Sequence, residues 1–223
     1  MRKVTIVQMI AVNQEQPDEK VVKIASRVLS RGGVVVFPTD SVYGIGCCAT
    51  HENPGYARIF NIKKRPATQS LPWLIADIED LRRYGKNISH DTMRLASQLW
   101  PGALTLVVDA SDEVPQMYRE KDNTVALRIP DSNLVRQIIR EVKCPVATTS
   151  ANTHGKPSPI SAADLENSIV CQSDLTLDGG FTVYAQSSTI VRCEKESYTI
   201  LRQGAIPASQ VEELLNGEDG RGN

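Results

Sequence analysis

The sequence predicts one α/β domain in which helices pack on a mixed β-sheet. Helical and strand patterns alternate from end to end of its 223 residues, with no internal repeat or low-complexity linker. Hydrophobic residues make up 41% of the chain, which is enough for one large core without disulfide or metal support. Several neighbouring predicted strands are joined by short loops, and this favours a mixed sheet over a purely parallel one.

The first predicted elements are a helix and a buried strand. Apolar residues recur at helical spacing over 20–30, and Gly32-Gly33 ends that helix because glycine tolerates positive φ. The uninterrupted apolar run 34–37 predicts a buried strand. Pro38 ends this strand because proline has no N–H to donate to a β-ladder.

The rest of the pattern predicts further helices and strands in alternation. Pro54 lies near the first turn of a helix over 53–62, and Asp131 or Ser132 caps an amphipathic helix. Ser161 and Asp164 have the spacing of a capping box before a helix that extends to about residue 169. Further helices are expected over 91–99 and 211–215, and strands over 74–76, 104–108, 125–129, 145–148, 175–177, 188–192 and 198–201.

Charge and cysteine content restrict the class of protein. A net charge of −1 argues against a protein that coats nucleic acid through bulk charge, although a local basic groove remains compatible with it. The five cysteines have no metal-ligand spacing and are expected to be reduced thiols. With no signal-peptide or membrane-span pattern, we expect a soluble cytoplasmic protein. Residues 1–215 are expected to form the domain, and 216–223 a disordered polar tail.

Common catalytic motifs are missing from the sequence. It contains no P-loop, no dinucleotide-binding glycine motif, no H-E-x-x-H and no nucleophile elbow. The three histidines lie in polar, loop-like surroundings, which makes a histidine-centred triad a poor explanation of function. Candidate ligand-binding residues are therefore sought among the polar residues that follow strands.

The segment 38–46, PTDSVYGIG, follows a buried strand, where open α/β sheets place ligands. The hydroxyls of Thr39, Ser41 and Tyr43 are suited to binding a small polar ligand, and Gly44 and Gly46 allow close approach of the backbone. A capped turn that uses its own hydroxyls explains the same residues equally well.

Three basic residues are candidates for anion binding. Lys63 and Arg65 follow a helix and are suited to one phosphate chain, but basic residues at a helix C-terminus also offset its dipole. Arg128 lies in an otherwise apolar strand, where its charge needs a partner. A carboxylate ligand and an internal Asp or Glu satisfy this requirement equally.

Small polar residues also cluster late in the chain. Thr148-Thr149-Ser150-Ala151-Asn152 follows a predicted strand and is suited either to cradling phosphate or ribose or to capping a helix. Ser187-Ser188-Thr189 adds hydroxyls, and Arg202 adds another cation. Each segment alone is ambiguous.

Taken together and in this order, these segments resemble the YrdC/TsaC family of threonylcarbamoyl-AMP synthases. The resemblance extends over about residues 25–206. The motifs that carry it are PTDSVYGIG at 38–46, KKRP at 63–66, WPGALTLV at 100–107, TVALRIP at 124–130, TTSANTHGKPS at 148–158, LDGG at 177–180, SSTIV at 187–191 and ILRQGAI at 200–206.

The resemblance implies a fold and an activity. The family fold is a twisted mixed sheet flanked by helices around a large concave basic groove. The reaction joins L-threonine, bicarbonate or CO2, and ATP with Mg²⁺ to give threonylcarbamoyl-AMP and pyrophosphate. The product passes to a separate transferase complex that modifies adenosine 37 of tRNA, and relatives of this fold have been linked to double-stranded RNA binding.

The resemblance also implies roles for individual residues. Lys63 and Arg65 would bind the ATP phosphates together with Ser150 and Asn152. Thr124, Ser158 and Arg202 match other positions on the nucleotide side. On the threonine side the matching residues are Thr39, Tyr43, Arg128, Thr148 and Ser188, with Arg128 binding the carboxylate.

Two departures from the family pattern affect this reading. The family has a segment ending in Asn-Pro-Leu after KKRP, where this chain has the different sequence ATQSLP at 67–72, and Ser41 replaces a second threonine. A divergent paralogue that binds nucleotide or double-stranded RNA without synthase activity is the alternative. The carbamoyl-transfer domain of a hydrogenase-maturation protein shares the fold, but it occurs beside acylphosphatase and zinc segments that this sequence lacks.

Overall fold

The computed structural model describes residues 9–66, 70–194 and 197–216, which form a layered α/β domain. Its strands are β1 Met9–Ala11, β2 Val35–Phe37, β3 Gly44–Cys48, β4 Trp73–Leu74, β5 Gly85–Lys86, β6 Leu104–Ala110, β7 Thr124–Arg128, β8 Val146–Ser150, β9 Leu175–Asp178, β10 Thr189–Cys193 and β11 Tyr198–Arg202. Its helices are α1 Glu19–Ser30, α2 Pro54–Lys63, α3 Glu79–Tyr84, α4 His90–Leu99, α5 Asn133–Val142, α6 Asn167–Val170 and α7 Ala208–Asn216.

The strands form one mixed sheet, which confirms the predicted fold class. Within the described residues their order is β1-β9-β2-β3-β8-β4-β7-β6-β10-β11, and β5 pairs with β6 outside this path. Parallel pairs join β9 to β1 and β2, β4 to β7, and β6 to β10. The other pairs, such as β3 with β8 and β6 with β7, are antiparallel.

Local capping residues set the helix boundaries. The side chains of Asp18, Asn53, Ser89 and Ser132 each accept a hydrogen bond from a backbone N–H in the first turn of α1, α2, α4 and α5. The capping box of Ser161 and Asp164 is present as predicted, but it opens a short 3₁₀ turn. After this turn the chain is extended at Leu165 and Glu166, so the predicted continuous helix is replaced by the turn and the short α6.

Apolar cores pack against both faces of the sheet, and alternate residues of a strand belong to different cores. In β4, Trp73 contributes to a core formed with α2, α3, α4, α6 and α7. Leu74 contributes to a second core formed with α1 and α5. Helices therefore lie on both faces of the sheet. Helices α1 and α5 pack together and cover only part of the face on which they lie.

The largest difference from the sequence prediction is that residues 44–48 form the buried strand β3 and not part of a ligand loop. A Cβ at Gly46 would lie 2.6 Å from Thr148 Oγ1 and 2.7 Å from Val146 Cγ1. The absence of a side chain at Gly46 therefore permits close packing of β3 on β8. This packing explains why a glycine-containing segment forms a strand here. The elements β1, α3 and β5 are further additions to the predicted set.

Two expectations concern the ends and the environment of the chain. The predicted disordered tail spans 216–223. Asn216 is the last residue of helix α7, and 217–223 lie outside the described residues. Among the helices that the structure describes, none has the length and apolar character needed to cross a membrane.

Candidate functional site

A cavity of about 660 Å³ lies on the face of the sheet that carries α1 and α5, beyond the part that these helices cover. Strands β6, β7, β10 and β11 contribute its floor, and β8 and the segment before β3 contribute a wall. Nine of the twelve predicted site residues line it, namely Thr39, Tyr43, Arg65, Thr124, Arg128, Thr148, Ser150, Ser188 and Arg202.

Alternation along the strands explains why polar and charged side chains reach this floor. In β7, Thr124, Ala126 and Arg128 line the cavity, whereas Val125 and Leu127 are fully buried in the core on the opposite face. β6 repeats the pattern, with Thr105 and Val107 lining the cavity between core leucines and a valine. Two adjacent strands thus present two threonines and an arginine, together with Val107 and Ala126, to the same space.

The charge of the cavity wall favours an anionic ligand. Five basic residues and two acidic residues line the cavity, a balance of three positive charges. The basic residues are Arg65, Lys121, Arg128, Arg192 and Arg202, and the acidic residues are Glu120 and Asp122. The basic groove expected from the family resemblance is therefore present.

Arg128 has the internal acidic partner that the sequence left open. Its side chain is 6% exposed and forms an ion pair with Asp40, which is 2% exposed. Its Nη1 donates to Ser41 Oγ at 2.8 Å, and its Nε donates to the Gly102 carbonyl at 2.9 Å. The guanidinium has five N–H groups, so this frame fixes its orientation without using all of its donors.

Arg202 is the second arginine at this end of the cavity. Its Nη2 donates to the carbonyl oxygen and the hydroxyl of Ser188, at 2.7 and 3.0 Å. Partial burial lowers the pKa of Arg202, and the nearby positive charge of Arg128 lowers it further. Because an anion placed between two nearby guanidinium groups is attracted by both, this end is suited to a carboxylate or phosphate.

Hydroxyl groups surround the two arginines. The Ser188 hydroxyl lies 2.9 Å from that of Thr105. Thr39 Oγ1 lies 3.0 Å from Ser41 Oγ and donates to the Val42 carbonyl at 2.7 Å. All four residues line the cavity. They give this end hydrogen-bonding groups for the polar parts of a small ligand.

Tyr43 lines the cavity, but its hydroxyl is used in the fold. It donates to the Gly180 carbonyl at 2.8 Å and accepts from Gly179 N–H at 3.1 Å. Burial raises the pKa of Tyr43 to about 12, so the phenol is protonated at neutral pH. Thr148 also donates internally, to the Val146 carbonyl at 3.2 Å.

The opposite end of the cavity carries Arg65, Thr124 and Ser150. Arg65 Nη1 lies 3.4 Å from Thr149 Oγ1, and its guanidinium lies 5.8 Å from the centre of the Phe60 ring. Thr124 Oγ1 donates to Asp122 Oδ1 at 2.7 Å, and the other oxygen of Asp122 pairs with Arg192 at 2.6 Å.

Lys63, Asn152 and Ser158 do not line the cavity. The Lys63 ammonium is buried and donates to the carbonyl oxygens of Ser150 and Asn152. Burial lowers the pKa of Lys63 to about 8, and the charge of Arg65 adds to this effect. The Asn152 amide donates to the carbonyl oxygens of Thr153 and Lys156, so it too stabilises the turn after β8.

Several lining residues were not predicted from the sequence. Thr105 lies within an apolar run, and Arg192 follows two apolar residues in a predicted strand. Glu120, Lys121 and Asp122 form a charged turn that resembles an ordinary surface loop. Only strand alternation, read together with the neighbouring strands, would have indicated Thr105 and Arg192.

No resident metal site accompanies the cavity within the described residues. No group of three or more His, Cys, Asp or Glu side chains is arranged there to hold an ion. A magnesium ion that enters with a nucleotide needs few protein ligands, because the phosphates and waters supply most of its coordination.

Comparison with known proteins identifies the family. The sequence profile of the Sua5/YciO/YrdC family, described as "Telomere recombination", matches residues 27–204. The chain belongs to this family. A threonylcarbamoyl-AMP synthase of Pyrococcus abyssi is 35% identical over 91% of the chain, and one of Bacillus subtilis is 34% identical over 86%.

A crystal structure of a Sua5/YciO/YrdC family member supports the same relationship. P. abyssi Sua5 in complex with L-threonine superposes with a TM-score of 0.85 at 35% identity and covers 93% of the chain. The chain spans 59% and 55% of the length of the Pyrococcus and Bacillus synthases, and 60% of this Sua5 chain. The similarity therefore concerns the part of these proteins that corresponds to this domain.

Proposed function

We propose that this domain synthesises threonylcarbamoyl-AMP from L-threonine, bicarbonate or CO2, and ATP. The observation that carries the proposal is the pairing of Arg128 and Arg202 beside the hydroxyls of Ser188 and Thr105, in a cavity that extends to Arg65. Such a cavity offers one end for an amino acid and another for a nucleotide. Membership of the family and the threonine complex of P. abyssi Sua5 support this choice of ligands.

The amino acid is proposed to bind at the arginine end. Arg128 retains donors beyond those used by Asp40, Ser41 and Gly102, and these would bind the threonine carboxylate. The hydroxyls of Thr39 and Ser188 would bind the remaining polar groups, with Tyr43 and Thr148 shaping the wall. A buried ion pair that already fixes Arg128 needs no reorganisation when the ligand arrives.

ATP is proposed to bind with its phosphates between Arg65 and Arg202, near Ser150 and Thr124. The roles of Lys63, Asn152 and Ser158 in ATP binding remain predictions, because these side chains lie away from the cavity. In the described arrangement the Lys63 ammonium donates to the carbonyl oxygens of Ser150 and Asn152, and the Asn152 amide donates to those of Thr153 and Lys156. Mg²⁺ would accompany ATP as part of the substrate complex.

The reaction requires positioning and charge neutralisation more than a protein nucleophile. The neutral threonine amine adds to CO2 and loses a proton to solvent, which gives a carbamate. One carbamate oxygen then bonds to the α-phosphorus of ATP. The bond from that phosphorus to the bridging oxygen of the β-phosphate breaks, and pyrophosphate leaves with the electron pair. Arg65 and Arg202 would stabilise the negative charge on the phosphates as it moves.

The proposed activity suggests where the product goes and where in the cell the protein acts. Threonylcarbamoyl-AMP is an activated acyl donor, and we propose that it passes to a separate transferase complex acting on adenosine 37 of tRNA. We propose the cytoplasm as its location, consistent with five cysteines that are all unpaired. RNA binding by the domain itself is proposed only as a weak interaction with the basic cavity.

One observation favours the alternative, a nucleotide-binding or RNA-binding paralogue without synthase activity. Lys63 and Asn152, two of the four residues expected to bind the ATP phosphates, lie off the cavity wall. If this arrangement persists with ATP bound, the domain would hold nucleotide without activating it.

A single assay separates the two candidates. The protein is incubated with ATP, Mg²⁺, bicarbonate and ¹⁴C-threonine, and pyrophosphate and labelled adenylate are measured. The synthase produces both products in equal amounts and only when threonine is present. Absent or threonine-independent pyrophosphate release from folded protein that binds ATP would contradict the proposal.

A further inference from the structure

The segment Ser70–Pro72 forms part of the cavity wall at the point where the chain departs from the family pattern. Ser70 and Pro72 both line the cavity, whereas Leu71 is fully buried between them. The Pro72 carbonyl accepts from Thr148 N–H at 2.8 Å, which joins the segment to β8. Ser70 follows Arg65 by five positions in the sequence. The segment Ser70–Pro72 therefore connects this part of the cavity wall to β8 in the middle of the sheet.

A single carboxylate oxygen holds the start of this segment. Glu120 Oε1 accepts from the Ser70 backbone N–H at 2.8 Å and from the Ser70 hydroxyl at 2.9 Å. Hydrogen bonds to an ionised acceptor are stronger than neutral ones. A proline at position 70 would lack the backbone N–H, so the first of these bonds requires a residue other than proline there.

Glu120 is itself fixed by the turn before β7. Its backbone N–H donates to the Thr124 carbonyl at 2.9 Å, and its carbonyl accepts from Asn123 N–H at 2.9 Å. Asn123 has φ of 61°, a conformation that asparagine tolerates better than most residues. Glu120 thus connects Ser70 to the strand that begins with Thr124.

Tyr56 gives an independent indication that these groups share one neighbourhood. Burial raises the pKa of Tyr56 to about 12, and a hydrogen bond from the Leu71 backbone opposes this shift. The charges of Glu120 and Arg65 act on the same phenol, in opposite directions. The Glu120 carboxylate and the Arg65 guanidinium therefore both lie close to the buried side of this wall.

We propose that Glu120 is a positioning residue that binds Ser70, holds the wall at the nucleotide end of the cavity and thereby sets the affinity for ATP. This inference rests on the proposed function, because it assumes that ATP enters at Arg65 and Thr124. A carboxylate in the wall opposes a polyanionic ligand electrostatically. Its presence there is explained by the two bonds to Ser70, which an ionised acceptor makes more strongly than a neutral one.

The experiment measures the Kd of Mg·ATP by calorimetry without threonine or bicarbonate, so that no turnover occurs. Glu120→Ala removes both bonds and is expected to raise Kd about tenfold, as expected when charge-assisted hydrogen bonds are lost. Ser70→Ala removes the hydroxyl bond and should raise Kd about threefold. Glu120→Gln keeps an oxygen acceptor and should restore Kd to within about threefold of the wild-type value.

The double variant and a control separate positioning from electrostatics. If Glu120 acts through Ser70, the combination of Glu120→Ala with Ser70→Ala raises Kd no further than Glu120→Ala alone. Glu113→Ala changes an exposed carboxylate elsewhere and should leave Kd unchanged. Tighter ATP binding in both Glu120→Ala and Glu120→Gln would overturn the positioning role, because it would show that the carboxylate only repels the phosphates.

The outcomes also distinguish this inference from the proposed function. An unchanged Kd in Glu120→Ala overturns the inference alone, and if that variant does not fold, an unchanged Kd in Ser70→Ala does the same. ATP binding by the wild type without threonine-dependent pyrophosphate release overturns the synthase proposal alone. Failure of the folded wild type to bind ATP overturns both.

Discussion

The two halves of one sheet face differ in what covers them. On one half, α1 and α5 pack on apolar residues such as Phe37, Leu74 and Leu177. On the other half the equivalent face presents Thr105 and Arg128 among other polar groups, and the described helices leave a cavity of about 660 Å³ there. Both halves belong to the same mixed sheet and have the same dense core behind them.

This difference shows that the choice of residue at alternate strand positions decides where the sheet remains accessible. A helix covers a strand face when apolar area is buried on both sides, which contributes about 25 cal/mol per Å². Covering Arg128, Ser188 and their neighbours would instead require every polar group to find a partner. We propose that the accessible half serves as the ligand site, whereas the covered half contributes stability through buried apolar area.

The largest expected effect comes from breaking the buried ion pair of the open half. Asp40→Ala leaves the Arg128 charge buried without its carboxylate and is expected to lower the free energy of unfolding by about 3–5 kcal/mol. Arg128→Ala should cost a similar amount and should also raise the KM for threonine. Urea unfolding monitored by circular dichroism measures the change. Asp77→Ala, which breaks the half-exposed pair with Arg140, is the control and should cost less than about 1 kcal/mol.

The next largest effect is expected when an apolar side chain is shortened in the covered half of the sheet face, compared with the open half. Ile138→Ala truncates a side chain of α5 that packs in the covered core and is 2% exposed. We expect it to lower the free energy of unfolding by about 3 kcal/mol. Val107→Ala shortens a partly exposed side chain in the cavity floor and should cost less than about 1.5 kcal/mol. Chemical unfolding of both variants measures the two losses in unfolding free energy. Equal losses would mean that the cavity floor is packed as tightly as the covered half.

Substitutions at the nucleotide end should affect binding more than folding. Arg65→Ala removes a cation from the cavity wall and is expected to raise the Kd for Mg·ATP about 10-fold to 100-fold. Arg82→Ala removes an exposed arginine of α3 and serves as the matched control. Calorimetry of both variants measures the Kd for Mg·ATP, and thermal unfolding measures Tm. A change in Tm without a change in Kd would assign Arg65 to the fold.

The smallest effect concerns the loop that follows β8. Glu166 accepts hydrogen bonds from Lys156 and from both the backbone and the hydroxyl of Thr153, which lowers its pKa to about 2. A lowered folded-state pKa contributes stability above the unfolded value of 4.5, and this contribution is lost as the pH falls towards 2. The difference in unfolding free energy between wild type and Glu166→Gln should therefore shrink between about pH 5 and pH 3. A difference that is independent of pH would contradict this account of the loop.

Much of the fold could be predicted from the sequence because local patterns encode it. The periodicity of 20–30 and the apolar run at 34–37 correspond to α1 and β2 within one or two residues. β3 was missed because glycine usually weakens a strand, and only the closeness of β8 explains Gly44 and Gly46. The contact between Glu120 and Ser70 joins segments 50 residues apart, and no local pattern encodes it.

The site was predicted unevenly for a similar reason. Thr39, Arg128 and Ser188 were predicted as polar or charged residues at strand ends or within a strand and from the family motifs, and all three line the cavity. The direction of the Lys63 side chain depends on the carbonyl groups of the turn after β8, which lie about 90 residues further along the chain. Sequence spacing alone does not determine such a direction.

The most direct test of the central claim is a crystal structure with L-threonine and a non-hydrolysable ATP analogue bound together. We expect both ligands in the open half of the sheet, with the threonine carboxylate on Arg128 and the phosphates between Arg65 and Arg202. Binding of either ligand outside this cavity, for example near Asp77 and Arg140 beside α5, would contradict the account.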